Sequence, residues 1–146
     1  MIRDALAILA SGQAVTDTDA YTDYSYDCGN TTTKRRIGTG EPLCLVFNVT
    51  TAAAGSTDTT DLKLVSATNA ALSGSTITLV TRRIANASLS IGSTHVLPIP
   101  AGEPQQRYIG GRVELGSGDT ITVDAAIVPI SDVGQVQHYD DSITWS

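Results

Sequence analysis

The sequence predicts an all-β protein, a jelly-roll-like antiparallel β-sandwich with an N-terminal arm and a C-terminal tail. Composition is the first reason: Thr, Ser, Ala, Val and Ile are abundant and aromatic residues are only 5% of the chain, which suits half-buried strands better than helices or an aromatic-lined pocket. Period-two alternation is the second. It is clearest where Leu43, Leu45, Phe47 and Val49 alternate with Cys44, Val46, Asn48 and Thr50, giving one apolar face and one mixed face. The third is turn chemistry recurring about every 8–12 residues, with no helix-length periodic segment to compete. At 146 residues and 41% hydrophobic content, the chain has material for one domain around one core.

Taken in chain order, residues 1–15 carry an apolar stripe, Ile2, Leu6, Ile8 and Leu9, that ends at Ser11-Gly12, and are expected to form the arm. The sandwich is expected over 16–130. Tyr24 and Tyr26, flanked by Tyr21, alternate with polar residues and predict a strand over 20–28. A loop over 29–41 carries Lys34-Arg35-Arg36 and leads into the core strand that starts at Leu43. Residues 52–60 are small and polar, so they read as a loop, and β-branched runs at 61–67 and 75–83 predict two strands joined by a turn over 69–74. Pro98 and Pro100 hold 94–100 extended and place it at a sheet edge or strand end. Residues 108–115 and 120–128, joined by Gly116-Ser117-Gly118-Asp119, read as a hairpin with Ile121, Val123, Ala125 and Ile127 facing in and Thr122 and Asp124 out. Residues 131–146 are polar, dotted with Val133, Val136, Tyr139, Ile143 and Trp145, and form either a last strand or a tail that docks on a neighbour.

Charge and motif content argue against most chemistry. A net charge of -6 disfavours a nucleic-acid partner, because phosphate contacts need a cationic face. The apolar run over 5–10 is shorter than a signal-peptide core, and no stretch reaches membrane-spanning length, so synthesis in the cytoplasm and no membrane partner are expected. Cys28 and Cys44 lack the close spacing of zinc or redox sites and read as small strand residues. The sequons at Asn30, Asn48 and Asn86 are chance triplets of a Thr- and Ser-rich chain. Gly38-Thr39-Gly40 precedes Pro42 and a strand, where a phosphate loop would open a helix. His95 and His138 have no partner at metal spacing, and the acidic run Asp17, Asp19, Asp23 and Asp27 lacks the glycine of a calcium loop and reads as solvated. No nucleophile elbow is present, so neither an enzyme nor a cofactor is expected. Lys34-Arg35-Arg36 is the one strong positive feature, either a solvated loop or a contact loop that pairs with carboxylates on a partner.

Three stretches together resemble the capsid cement (decoration) proteins of short-tailed phages. They are residues 9–16 (Leu9 to Thr16), residues 37–43 (Ile37-Gly38-Thr39-Gly40-Glu41-Pro42-Leu43), and Leu97-Pro98-Ile99-Pro100 continuing through Arg107-Tyr108-Ile109 to Thr120-Ile121-Thr122-Val123. The chain departs from that pattern at Cys44, over 103–106 and after Ser131. The resemblance implies a jelly-roll-like protein on the outer surface of the virion that binds the major capsid protein, as a homo-oligomer (dimer or trimer), and acts by binding alone. It transfers no residue list. Contact candidates come instead from the segments a compact sandwich explains least: Ile2, Leu6 and Leu9 at the start, Lys34, Arg35 and Arg36 in the loop, and Tyr139, Ile143 and Trp145 in the tail. A carbohydrate-binding β-sandwich module of a virion adhesin is the alternative, and it would need exposed aromatics among Tyr21, Tyr24, Tyr26 or Trp145.

Overall fold

In a computed structural model the described residues are 8–16, 19–29, 42–54, 58–100, 106–116 and 119–132. They form nine strands: β1 (Ile8–Thr16), β2 (Ala20–Tyr21), β3 (Tyr26–Asp27), β4 (Leu43–Thr51), β5 (Thr59–Ala67), β6 (Ile77–Ala85), β7 (Thr94–Pro98), β8 (Tyr108–Glu114) and β9 (Thr120–Pro129). Short 3-10 turns follow β6 and β9, and no α-helix occurs among the described residues. The all-β sandwich expected from the sequence is therefore the fold. β1, β9, β4 and β7 make sheet A in that order, and β2, β8, β5 and β6 make sheet B, with β3 also on β8.

The antiparallel partners are nested. β5 pairs with β6, β4 with β7, β2 and β3 with β8, and β1 with β9. A chain paired in this way is one long hairpin rolled into two facing sheets, which is the jelly-roll winding. Every connection consequently crosses between the sheets except the β5–β6 turn and the passage from β2 to β3.

That winding corrects the expected hairpin over 108–128. β8 pairs with β5 and β9 pairs with β4, in different sheets, and the segment between them crosses over. Alternation within each strand looks the same whether its neighbour in sequence pairs with it or faces it, and Gly-Ser-Gly-Asp serves both connections. The inward set was nonetheless read correctly: Ile121, Val123, Ala125 and Ile127 are all buried in the main core with Leu45, Phe47, Val49, Leu62, Leu64, Ile109 and Val113.

The arm expected over 1–15 is corrected over 8–15, while residues 1–7 lie outside the described residues. Ile8–Thr16 is an edge strand of sheet A, and Leu9 is 0% exposed in the core. Gly12 takes φ +61 and its N–H donates to Asp124 Oδ1 at 2.6 Å, at register shifts that bend the strand, so the apolar stripe is broken where a regular strand would continue it. The tyrosine strand over 20–28 is interrupted in turn. The Thr22 hydroxyl donates to Tyr24 O, and the Tyr24 N–H donates across to Leu9 O on sheet A.

Both sides of the sandwich are stitched. On one, the Gln13 side-chain amide donates to Tyr21 O and accepts from the Asp23 N–H. On the other, Arg82 on β6 donates through Nη1 to Val96 O on β7 at 3.3 Å. In the middle of sheet B, Gly110-Gly111 leaves both faces open. A side chain at Gly111 would meet the Phe47 ring at 2.7 Å from inside, and one at Gly110 would meet Leu72, which the 69–74 turn folds over the outside with Leu72 at φ 62. The turn itself was legible in the sequence.

Candidate functional site

The sandwich has two poles. At one, the connections β4 to β5, β6 to β7 and β8 to β9 meet around Asn86, which is 3% exposed. The Thr60 hydroxyl donates to Asn86 Oδ1 at 2.6 Å, and Asn86 Nδ2 donates to Asp119 Oδ2 at 2.7 Å and to Ala54 O at 3.2 Å. Backbone bonds add Asn86 N to Asp58 O, Ala53 N to Leu89 O and Ala54 N to Thr120 O. A buried carboxylate and amide that satisfy each other hold three crossovers together. The sequon at Asn86 is thus occupied by structure. Among the described residues no group of three His, Cys, Asp or Glu is placed to hold a metal.

The outward face of sheet B is ionic. Lys63 Nζ lies 2.8 Å from Glu114 Oε2, Arg112 reaches both Glu114 and Asp19, and Arg83 holds Asp61 through Nε and Nη2. Arg107 holds Asp27 in the same two-pronged way. The Arg83 hydrogen bond pulls the Asp61 pKa below the usual carboxylate value. Asp19 and Asp27 therefore belong to ion pairs, which corrects the reading of the acidic run as simply solvated. Arg112 and Arg107 also lie 5.2 and 5.1 Å from the ring centres of Tyr21 and Tyr108. Of the tyrosines considered for sugar stacking, Tyr24 is exposed, while Tyr21 and Tyr26 are half-buried.

The outward face of sheet A is apolar over the half nearer the second pole. Cys44, Val46, Ala126 and Val128 cluster there with Val96, all pointing away from the main core. Cys44 is 0% exposed, its thiol lies 3.5 Å from Val128 O, and burial pushes its pKa up to about 11. Cys28 is likewise buried.

At this second pole β1 and β4 begin and β7 and β9 end: Ile8 pairs with Ala126, Leu43 with Pro129 and Cys44 with Pro98. The Ile130 N–H donates to Pro42 O and the Ile99 N–H to Leu43 O. β3 and β8 meet at the same end of sheet B, with Asp27 paired to Tyr108. Ile2, Leu6, Lys34, Arg35, Arg36, Tyr139, Ile143 and Trp145 lie outside the described residues. The described residues next to each of these segments, Ile8, Gly29, Pro42 and Asp132, all lie at the second pole. Leu9 is removed from the contact candidates, since its side chain belongs to the core. Alternation could have flagged Val46 and Val128 on the second face, but the register that brings them together with Cys44 and Ala126 is not written in any one segment.

A family model, Bbp16, matches residues 9–127, most of the chain, and the protein belongs to that family. No curated protein matches it.

Proposed function

Starting from its membership of the Bbp16 family, we propose that the protein is a structural component of a phage virion, a cement protein that binds the outer surface of the capsid and clamps major capsid subunits. One observation carries the reading beyond the sequence resemblance. The described ends of the basic loop and of both terminal segments converge at one pole, so the segments least explained by the sandwich leave it on the same side. The rest of the molecule suits a protein that acts by binding. Four of its five described basic side chains are paired with carboxylates, and its buried polar side chains at the Asn86 pole are spent on holding crossovers. Many copies on one shell would make weak individual contacts sufficient.

Pelleting of the purified chain with empty shells of its own phage, after light scattering has fixed its oligomeric state, tests the proposal. Co-sedimentation is expected, and substituting Lys34, Arg35 and Arg36 together by Ala should weaken it more at low salt than at high salt, because exposed pairs are screened as the Debye length shrinks. A chain that stays in the supernatant at every salt concentration would remove the cement reading. Binding to an arrayed glycan instead would favour the adhesin module, whose best-placed aromatic is Tyr24.

A further inference from the structure

Along one side of the sandwich, β6 and β7 face each other as edge strands of sheet B and sheet A, joined there by the Arg82 stitch. Arg82 sits on the inward face of β6, across from Leu62, and reaches over the gap to Val96 O. Among the described residues it is the one basic side chain with no ion pair, since Lys63, Arg83, Arg107 and Arg112 all have carboxylate partners. Its single hydrogen bond is long and goes to a neutral carbonyl.

Beside it, His95 lies on the inward face of β7 opposite Phe47 and is 8% exposed. Its Nε2 is 3.2 Å from Ser93 Oγ. His95 pairs with Phe47 on β4, and β6, whose Arg82 acts on it electrostatically, is the edge strand across the seam. Among the described residues Arg82 is the charged group that acts on His95, because Lys63 and Arg83 point to the other face with Glu114 and Asp61. Burial, and secondarily Arg82, hold the His95 pKa below 6.5. In a chain of net charge -6 this seam gathers a guanidinium, an imidazole and a hydroxyl, with no acid paired to them among the described residues.

We propose that the β6–β7 seam is a recognition notch for a carboxylate side chain presented by the protein surface to which this chain binds. Arg82 supplies the planar two-pronged donor that matches a carboxylate, a geometry a lysine does not reproduce. His95, one residue from the carbonyl that Arg82 holds, and Ser93, 3.2 Å from the His95 Nε2, supply further donors along the seam, the imidazole gaining a proton when a negative charge arrives. The partner's identity as a capsid subunit rests on the cement reading, whereas the chemistry of the notch does not.

Two measurements separate those questions. In the full-length chain, the ring resonances of His95 are titrated by NMR in acetate and in chloride at matched ionic strength. Acetate should raise the His95 midpoint by about 1 unit, the lower end of what a neighbouring opposite charge produces. The rise should vanish in Arg82→Ala and shrink in Arg82→Lys. A midpoint equal in the two salts, or a rise that persists in Arg82→Ala, overturns the notch. In the shell-pelleting experiment, Arg82→Glu should weaken binding at least about tenfold, the change that corresponds to 1.4 kcal/mol. If wild type and Arg82→Glu bind shells equally, the notch is refuted and the cement reading stands. If wild type does not bind shells at all, the cement reading fails and the acetate titration alone decides the notch.

Discussion

The two sheets are built by the same rolled hairpin, yet they turn opposite surfaces outward. Sheet B presents cross-strand ion pairs, Asp61 with Arg83 and Lys63 with Glu114, over a small apolar patch of Val65, Ala67 and Leu72. Sheet A presents Cys44, Val46, Ala126 and Val128, buried to 5% exposure or less. The difference teaches that β4 and β9 are two-sided core strands, apolar on both faces like strands of a covered sheet, whereas β5 and β8 near the Asn86 pole are one-sided. Energy is correspondingly concentrated on one outer face and thinly spread on the other.

The largest effect that could break this contrast is a charge on the sheet A face. Val46→Asp places an unpaired carboxylate among Cys44, Val96, Ala126 and Val128, and is expected to cost about 3 kcal/mol or more, read as a fall in the urea midpoint. A variant as stable as wild type would mean that this face opens to water. Lys63→Ala, on the sheet B face, should cost only about 0.2–1 kcal/mol, and less as salt is added. If it matched Val46→Asp, the ionic face would have to be counted as structural.

Acid sharpens the contrast further, in two small steps. The folded state holds His95 below 6.5, so between that value and the folded midpoint the unfolded chain takes up the proton first; stability is full above 6.5 and declines as pH falls below it. Asp61 has a folded pKa below 3.8, so its contribution is present above 3.8 and is lost as pH falls through the folded value. Urea midpoints measured across pH should show the upper step reduced in His95→Gln and the lower one reduced in Asp61→Asn. An upper step of unchanged size in His95→Gln would show that His95 is not its source.

How much of this was legible varies with the range over which the information is carried. The inward faces of β4 and β9 could be read directly, because period two is a property of consecutive residues. Even so, Cys44 and Val46 read as part of a merely mixed face, and Ala126 and Val128 did not stand out, until β4 and β9 were set side by side. Leu9 was misjudged because Gly12 and its bulge shorten the visible alternation to a stretch that resembles an arm. The hairpin error at Gly116 has a similar origin, since a tight turn and a crossover draw on the same residues. The pairing of Arg82 with an unbalanced His95 depends on two edges separated by the 3-10 turn at Asn86, and no local pattern announces it. The grouping of the flanks at one pole likewise follows only from the strand order.

The nested pairing also sets a timetable for folding. β5 and β6 can zip from the 69–74 turn as soon as both have been made, and each outer pair must close a longer loop, until Ile8 finds Ala126 almost a full chain length away. β9 is the last of the described strands and lies between β1 and β4, so among the described strands β1 has no partner, and β4 only β7, until β9 has been made. During that wait the apolar edges of β1 and β4 stand open to other copies of the chain, and slow, crowded synthesis is where such a protein would be lost to aggregation.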